Sequence, residues 1–373
     1  MMNDILFQSV VESKAEFSPH LKLNQKKPES SSLPLSQAQL GIWVGQLLDA
    51  SNNSYWTAQA LELTGVWNEA AFVQSIRQVI AHAEVLHMRM TLDADGLPCQ
   101  FATQTHFDGQ GKLAVDAVER LSFEAHVAPE QAAQQWMQND LASSPANLSG
   151  GLFRTAILTL SPDRHLWYLR THHIALDGYA YALLARQVAQ HYTHLLNNPQ
   201  PLNITVPTLR EVIEEDGSYT QSRAFERDRQ FWSSYLSDLH QVPDAGALCA
   251  KQTVSSTCHS SIRQISAQDW FRWQEAAHNQ GVDWPTWLTA VWAALQLRTS
   301  AVPQVRIGLP VMGRLGSVAL TVPCMYMNIV PIVLQMQYLN DAQTWLKHVA
   351  QQLRSVKPHQ RYRYEKLKDD FKI

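Results

Sequence analysis

The stretch Thr171-His172-His173-Ile174-Ala175-Leu176-Asp177-Gly178 joins a strand-like apolar run to a long helix-like run. Two adjacent histidines, an acid four positions after the second, and a glycine behind it form a compact set of groups for proton transfer. Neighbouring side chains of a strand point to opposite faces, so the two histidines must have different surroundings. One of them can act as a general base while the other packs or holds the backbone.

These residue types leave three interpretations open: catalysis by a histidine, a metal site, and a purely structural turn. A neutral imidazole can take a proton from an attacking amine, alcohol or thiol. A metal site lacks an evident third ligand, and two histidines on opposite strand faces chelate poorly. Asp177 would orient an imidazole or brace the turn. Gly178 lets the backbone bend and offers its N–H to an oxyanion.

The composition excludes several classes of function. The 373 residues are 45% hydrophobic and 17% charged, which is typical of a soluble globular protein. A formal net charge of −3 gives no basic field for nucleic acid or an anionic membrane surface. No signal peptide and no membrane-spanning apolar run occurs, and none of the four cysteines forms a C-x-x-C pair. The sequence therefore predicts a cytoplasmic protein.

The mix of strand and helix patterns predicts an α/β or α+β fold with two lobes. Residues 1–32 are predicted to be a polar leader, residues 33–200 the lobe that carries the histidines, and residues 201–373 a second lobe. The predicted elements are, in order, a capped helix from Ser36, a strand over 55–63, a helix capped by Asn68, strands over 152–160 and 166–172, a helix after Gly178, a helix over 226–239, a Ser/Thr-rich strand before residue 260, a helix capped by Asp283, and strands over 305–309 and 325–334.

Several well-known catalytic and binding motifs do not occur in the sequence. It contains no G-x-S-x-G nucleophile elbow, no Walker loop, and no G-x-G-x-x-G after a strand. A serine-type covalent intermediate and nucleotide binding therefore have no support. The sequence instead favours direct transfer between two bound substrates with one base.

Six motifs occur in an order that resembles the condensation domains of nonribosomal peptide synthetases, within a superfamily that includes chloramphenicol acetyltransferase-like enzymes. The motifs are, in order, Leu35-Ser36-Gln37-Ala38-Gln39 with Ile42-Trp43, Ala83-Glu84-Val85-Leu86-His87-Met88-Arg89, His172-His173-x-x-x-Asp177-Gly178, Asp228-Arg229-Gln230-Phe231-Trp232, Gly308-Leu309-Pro310-Val311-Met312-Gly313-Arg314 with Met327-Asn328-Ile329-Val330-Pro331, and His359-Gln360-Arg361-Tyr362-Arg363-Tyr364-Glu365. The resemblance implies two related lobes arranged in a V, each with a mixed sheet and flanking helices. It also implies an incomplete second lobe, because relatives continue for several dozen residues past the position of Ile373.

The resemblance also implies a role for each site residue. His173 would be the base or the group that orients the amine, with His172 beside it. Asp177 would be structural, and Gly178 would assist near the reacting carbonyl. The resemblance implies supporting roles for Ser36, Gln39, Arg314 and Asn328. In relatives an arginine of the second motif braces the motif aspartate; the matching position here is His87, and Arg89 is the available substitute.

The implied reaction is amide bond formation between two carrier-bound substrates. An acyl thioester would arrive on a donor carrier protein and an aminoacyl thioester on a peptidyl acceptor carrier. The run over residues 313–320 resembles siderophore-forming members, which use an aryl acid. The phosphopantetheine arms belong to the carriers, so the chain itself would bind no cofactor, and an adenylation domain is a further expected partner. Two alternatives remain: a coenzyme A-dependent acyltransferase of the same superfamily, and an inactive truncated module that binds a carrier.

Overall fold

The computed structural model describes residues 32–48, 53–103, 113–114, 117–145, 148, 151–198, 200, 202, 206–237, 264–300 and 302–371. The first group of described helices and strands comprises β1 (Leu33–Pro34), α1 (Gln37–Leu48), β2 (Trp56–Thr64), α2 (Glu69–His82), β3 (Met88–Leu92), β4 (Pro98–Ala102), β5 (Val118–Ser122), α3 (Pro129–Ala142), β6 (Phe153–Ser161), β7 (Arg164–His172), α4 (Gly178–Asn197) and α5 (Leu209–Tyr219). The second group comprises α6 (Arg223–Leu236), α7 (Ala267–Asn279), α8 (Trp284–Ser300), β8 (Gln304–Val311), β9 (Asn328–Gln335), α9 (Ala342–Val356) and α10 (Tyr364–Phe371).

A four-stranded sheet of order β2-β7-β6-β5 carries the histidines. β7 runs antiparallel to both of its neighbours, whereas β5 is parallel to β6. The β2–β7 ladder extends over nine pairs and ends at Trp56 opposite His172. A smaller sheet of order β1-β4-β3 lies in the same part of the chain. The mixed α/β class predicted from the sequence is confirmed.

Helices cover both faces of the four-stranded sheet, because side chains of each strand alternate between two cores. Trp167 and Leu169 join the core that α2 and α4 line. Tyr168, between them in sequence, joins a separate core with α3. This burial on both faces holds β7 rigidly, so the residues at its end have a fixed platform.

The antiparallel pair β8–β9 belongs to a second core, which it shares with α6, α8, α9 and α10. The segment between these two strands leaves that core: Ala319, Val322, Cys324 and Tyr326 are buried in the first core instead. The chain therefore passes from the second core to the first and back. This excursion carries residues of the second group to the end of the strand that holds the histidines.

Each predicted element that falls on described residues is present, with ends that differ by up to three residues. Asn68 caps α2 by accepting the N–H of Ala71 at 3.0 Å, and Asp283 accepts the N–H of Thr286 at 3.0 Å at the start of α8. The largest shifts are three residues: β9 begins at Asn328 rather than at residue 325, and α6 begins at Arg223 rather than at residue 226. The leader over residues 1–31 and the Ser/Thr-rich strand before residue 260 lie outside the described residues.

Candidate active site

A tight turn connects β7, which ends at His172, to α4, which begins at Gly178. His173 is its first residue. The N–H of Ala175 donates to the carbonyl of His172 at 2.9 Å, which closes the turn. Ile174, Ala175 and Leu176 are completely buried, so the turn is held by packing as well as by hydrogen bonds. Asp177 then caps α4 by accepting the N–H of Ala180 at 2.9 Å. The sequence thus folds locally as a strand, a buried turn and a capped helix.

His172 is buried and has a defined protonation state. Its Nδ1 accepts the N–H of Ile174 at 3.1 Å, so the ring proton must lie on Nε2, which faces Oε1 of Gln46 at 3.3 Å. The ring is 1% exposed and packs edge-on against Trp56, with 5.2 Å between centroids. Burial, with a smaller effect from His173, lowers the pKa of His172 to about 3. The ring therefore stays neutral at physiological pH.

This lowered pKa makes the stability of the protein depend on pH. The pKa of His172 is about 3 in the folded chain, whereas an unfolded histidine takes up a proton near pH 6.5. Between these values the unfolded state binds more protons, so the free energy of unfolding falls as the pH falls. His172 alone is expected to lower the free energy of unfolding by about 2 kcal/mol when the pH falls from 8 to 5.

The measurement is urea denaturation of the wild type and of His172→Gln across that pH range. The free energy of unfolding of the variant should depend less on pH than that of the wild type. Part of the dependence remains in both proteins, because burial also lowers the pKa values of His191 and His348. Equal pH slopes for the two proteins would contradict the assigned neutral state of His172.

His173 differs from its neighbour in exposure and in hydrogen bonding. Its backbone N–H donates to the carbonyl of Tyr55 at 2.6 Å, which continues the β2–β7 ladder by one residue. The side chain is only half-buried, and its Nδ1 lies 2.9 Å from the carbonyl oxygen of Leu176. A carbonyl can only accept, so Nδ1 carries the proton. In the neutral ring, Nε2 is then the atom with a free lone pair.

Asp177 is the centre of a buried network between the two groups of elements. Its Oδ2 accepts the N–H groups of Tyr326 at 3.0 Å and Met327 at 2.9 Å, and lies 2.8 Å from Nη2 of Arg314. Arg314 is 0% exposed, and its guanidinium also donates to the carbonyls of Val322, at 3.0 Å, and of Ala319 and Cys324. The motif aspartate thus holds α4 and the segment before β9 together.

Two comparisons of sequence and structure place this geometry in a family. A family model described as the condensation domain matches residues 29–373. The chain belongs to the condensation domain family. The first condensation domain of the CDA synthetase superposes with a TM-score of 0.78 at 26% identity, over 91% of this chain and 78% of that one. The starter condensation domain of rhizomide synthetase, solved in complex with C8-CoA, superposes with a TM-score of 0.74 at 28% identity, over 92% and 75%.

Curated relatives of this condensation domain are much longer proteins. It is 34% identical to the dimodular nonribosomal peptide synthase of Bacillus subtilis (strain 168) over 91% of the chain and 14% of the relative. It is 29% identical to enterobactin synthase component F of Escherichia coli (strain K12) over 91% of the chain and 26% of the relative. The chain therefore spans between a seventh and about a quarter of the length of these two relatives.

In the part of the chain that the structure describes, neither His87 nor Arg89 of the second motif contacts Asp177. Nε2 of His87 lies 2.8 Å from the carbonyl of Ile80, and Arg89 donates a long bond, 3.4 Å, to the carbonyl of Met88. Among the described residues, the cation that contacts Asp177 is Arg314. The condensation domain therefore keeps a permanently charged partner for its motif aspartate, but that partner comes from the fifth motif.

The other supporting residues fix backbone segments of the first, fifth and sixth motifs. Ser36 and Gln39 exchange hydrogen bonds at the start of α1, with Gln39 N–H to Ser36 Oγ at 3.2 Å and Ser36 N–H to Gln39 Oε1 at 3.0 Å. Asn328 donates to the carbonyls of Gln360 at 2.9 Å and Tyr362 at 2.7 Å, which ties β9 to the sixth motif. These three predicted residues lie close to the chain segments of the site without contacting His173 itself.

Two residues of the site were not predicted. Gln46 has no signal in the sequence, because its role depends on which side of α1 meets His172. Tyr55 could have been found once β2 and β7 were paired, since Trp56 opposite His172 places Tyr55 opposite His173.

Within the described residues, no three His, Cys, Asp or Glu side chains are grouped closely enough to hold a metal ion. No described helix is long and apolar enough to cross a membrane.

Proposed function

We propose that this condensation domain forms an amide bond between an acyl thioester and an amine, each delivered on the phosphopantetheine arm of a carrier protein. The observation that carries the proposal is the hydrogen bond from Nδ1–H of His173 to Leu176, which leaves Nε2 as the available base on a half-buried ring. The relatives named above are synthetases, which supports the carrier proteins and an adenylation domain as partners.

The reaction needs one proton acceptor. The amine nitrogen attacks the thioester carbonyl and forms the C–N bond, while Nε2 of His173 takes one amine proton. The C–S bond then breaks, and the proton passes from the imidazolium to the departing thiolate, so the products are an amide and a free thiol. No covalent enzyme intermediate and no bound cofactor enter this sequence of steps.

The functional test supplies both carriers with their thioesters and measures the amide product by mass spectrometry. A panel of aryl and aliphatic acyl groups on the donor carrier includes an aryl acid, because enterobactin synthase component F is among the relatives. Product should form only when both loaded carriers are present. Absence of product with every donor and acceptor pair would overturn the proposed function.

A second candidate function is acyl transfer from a free coenzyme A thioester. One observation favours it: a structural relative, the starter condensation domain of rhizomide synthetase, was solved in complex with C8-CoA and Leu-SNAC. The same assay separates the two functions when acyl-coenzyme A replaces the donor carrier. Turnover at equal or higher efficiency with coenzyme A would favour this second function.

Gly178 offers a separate test of where the thioester lies. A Cβ placed on Gly178 would meet no protein atom within 4 Å, and this glycine is exposed at the first position of α4. The φ angle of Gly178 is also not in the positive region that favours glycine. Neither backbone nor packing requires glycine here, which supports a close approach of substrate to its N–H.

We therefore expect Gly178→Ala to keep or raise the free energy of unfolding, by up to about 1 kcal/mol. The same change should lower the rate of condensation about tenfold or more, since the new methyl group would occupy the space for the thioester and displace it. Urea denaturation and the two-carrier assay give the two quantities. A stabilised variant with an unchanged rate would exclude this approach of the substrate.

A further inference from the structure

Two amide side chains form a closed pair in the core beside the catalytic turn. Nε2 of Gln39 on α1 donates to Oε1 of Gln100 on β4 at 3.1 Å, and Nε2 of Gln100 donates back to Oε1 of Gln39 at 2.8 Å. Gln39 is 1% exposed and Gln100 is 0% exposed. Each amide therefore fixes the orientation of the other, without solvent to replace a lost partner.

The remaining polar atoms of the pair are also used. The second N–H of Gln39 donates to the carbonyl of Ile174 at 3.3 Å, and that of Gln100 donates to the carbonyl of Pro34 at 3.0 Å. Rotating one amide by 180° would place two oxygens against each other within the pair. Rotating both would place Nε2 of Gln39 against the N–H of Ser36 and Oε1 of Gln39 against the carbonyl of Ile174. The pair thus allows one orientation, in which a donor faces Ile174.

Ile174 lies in the turn that orients His173. Within this turn, backbone bonds join His172 to Ala175 and Leu176, and ring bonds join His172 to Ile174 and His173 to Leu176. Gln39 reaches the turn from 135 residues away. The carbonyl of Leu176 can hold Nδ1–H of His173 only if the turn keeps its present shape. A donor on Ile174 fixes one peptide plane in the middle of that turn.

We propose that Gln100 is a positioning residue for His173. It locks the amide of Gln39, which holds the carbonyl of Ile174, and the turn so fixed sets the ring of His173 with Nε2 free. Burying two amides carries a desolvation cost that a pair of apolar side chains of similar volume would avoid. What the amides add over such a pair is their bonds to the backbone of Ser36, Pro34 and Ile174, and of these the donor to Ile174 reaches the turn. The kinetic part of this inference rests on the proposed function.

The test compares Gln100→Met with Thr155→Val. Thr155 is equally buried in the four-stranded sheet, where its hydroxyl donates to Tyr168 and accepts from Trp167, so its loss also removes buried hydrogen bonds. At a temperature where both variants are fully folded, Gln100→Met should lower kcat about 10-fold to 100-fold with KM nearly unchanged. Thr155→Val should leave kcat within about twofold of the wild type, because it does not contact the turn.

A second readout does not depend on the reaction. Ring ¹⁵N–¹H correlation spectra of His173 should show the neutral Nδ1–H form in the wild type and a mixture of the two neutral forms in Gln100→Met. If the wild type forms no amide, this spectrum still tests the inference while the proposed function fails on its own. An unchanged spectrum together with an unchanged kcat would overturn the role of Gln100.

The double variant Gln39→Met, Gln100→Met covers the case in which the single variant does not fold. Replacing both partners removes the buried unpaired amide and should recover much of the stability. Ile174 still lacks its donor, so kcat should remain low and the spectrum mixed. Recovery of stability and kcat together would show that the pair only stabilises the fold.

Discussion

His173→Ala is expected to lower the rate of condensation by about 10²–10⁴, which is the range for loss of a positioned general base. The expectation rests on the single hydrogen bond that fixes the ring, from Nδ1–H to the carbonyl of Leu176 at 2.9 Å. Alanine removes the base and leaves a small cavity on a half-buried site, so folding should be affected much less than turnover. The two-carrier assay measures the loss.

The pH dependence of the rate provides a second, independent test of the role of His173. A general base accepts a proton only in its unprotonated form, so kcat of the wild type should fall at acidic pH. The residual activity of His173→Ala should lack that acidic decline. His172 cannot produce it, because its pKa is lowered to about 3.

His165→Ala provides the matched control for His173→Ala. His165 lies near the other end of the same strand, is 5% exposed, and places Nδ1 3.2 Å from the hydroxyl of Thr159. Its loss should lower stability without changing kcat of the folded fraction. A rate loss for His173→Ala no larger than that of His165→Ala would remove His173 from the catalytic role.

The strand, turn and helix of the site could be predicted because their signals are local. An apolar run ends at His172, and Asp177 followed by glycine marks a helix start, as a side-chain oxygen at this position accepts the N–H three residues later. The different surroundings of the two histidines also followed from the alternation of side chains on a strand. These features depend on residues that are close together in the sequence.

The partner of Asp177 could not be predicted from local sequence. Arg314 is 137 residues away, and it reaches the aspartate only because the segment between β8 and β9 crosses into the first core. Two backbone contacts to the same aspartate explain why β9 begins later than predicted. Tyr326 and Met327 were predicted to be strand residues, but their N–H groups donate to Asp177 and so cannot pair with another strand.

Arg314→Met is expected to lower the free energy of unfolding by about 3–5 kcal/mol, the usual cost of removing one partner from a buried ion pair. Asp177 is 1% exposed, so the substitution would leave its carboxyl group without its cation in a place that water does not reach. Loss of this bond also releases the link between α4 and the segment before β9. Condensation should therefore decline together with stability.

The control is an ion pair of the same chemistry on the surface. Nη2 of Arg164 lies 2.7 Å from Oε1 of Glu62, with 43% and 46% of the two side chains exposed. Arg164→Met should cost only about 0–1 kcal/mol, because water solvates the remaining glutamate and screens the pair.

Urea denaturation of both single variants, and of the double variant Asp177→Asn, Arg314→Met, completes the comparison. The double variant removes the uncompensated charge but should recover only part of the stability, because an amide has one oxygen for the three N–H groups that the two carboxylate oxygens of Asp177 accept. Equal costs for Arg314→Met and Arg164→Met would mean that the network around Asp177 does not depend on its buried charge.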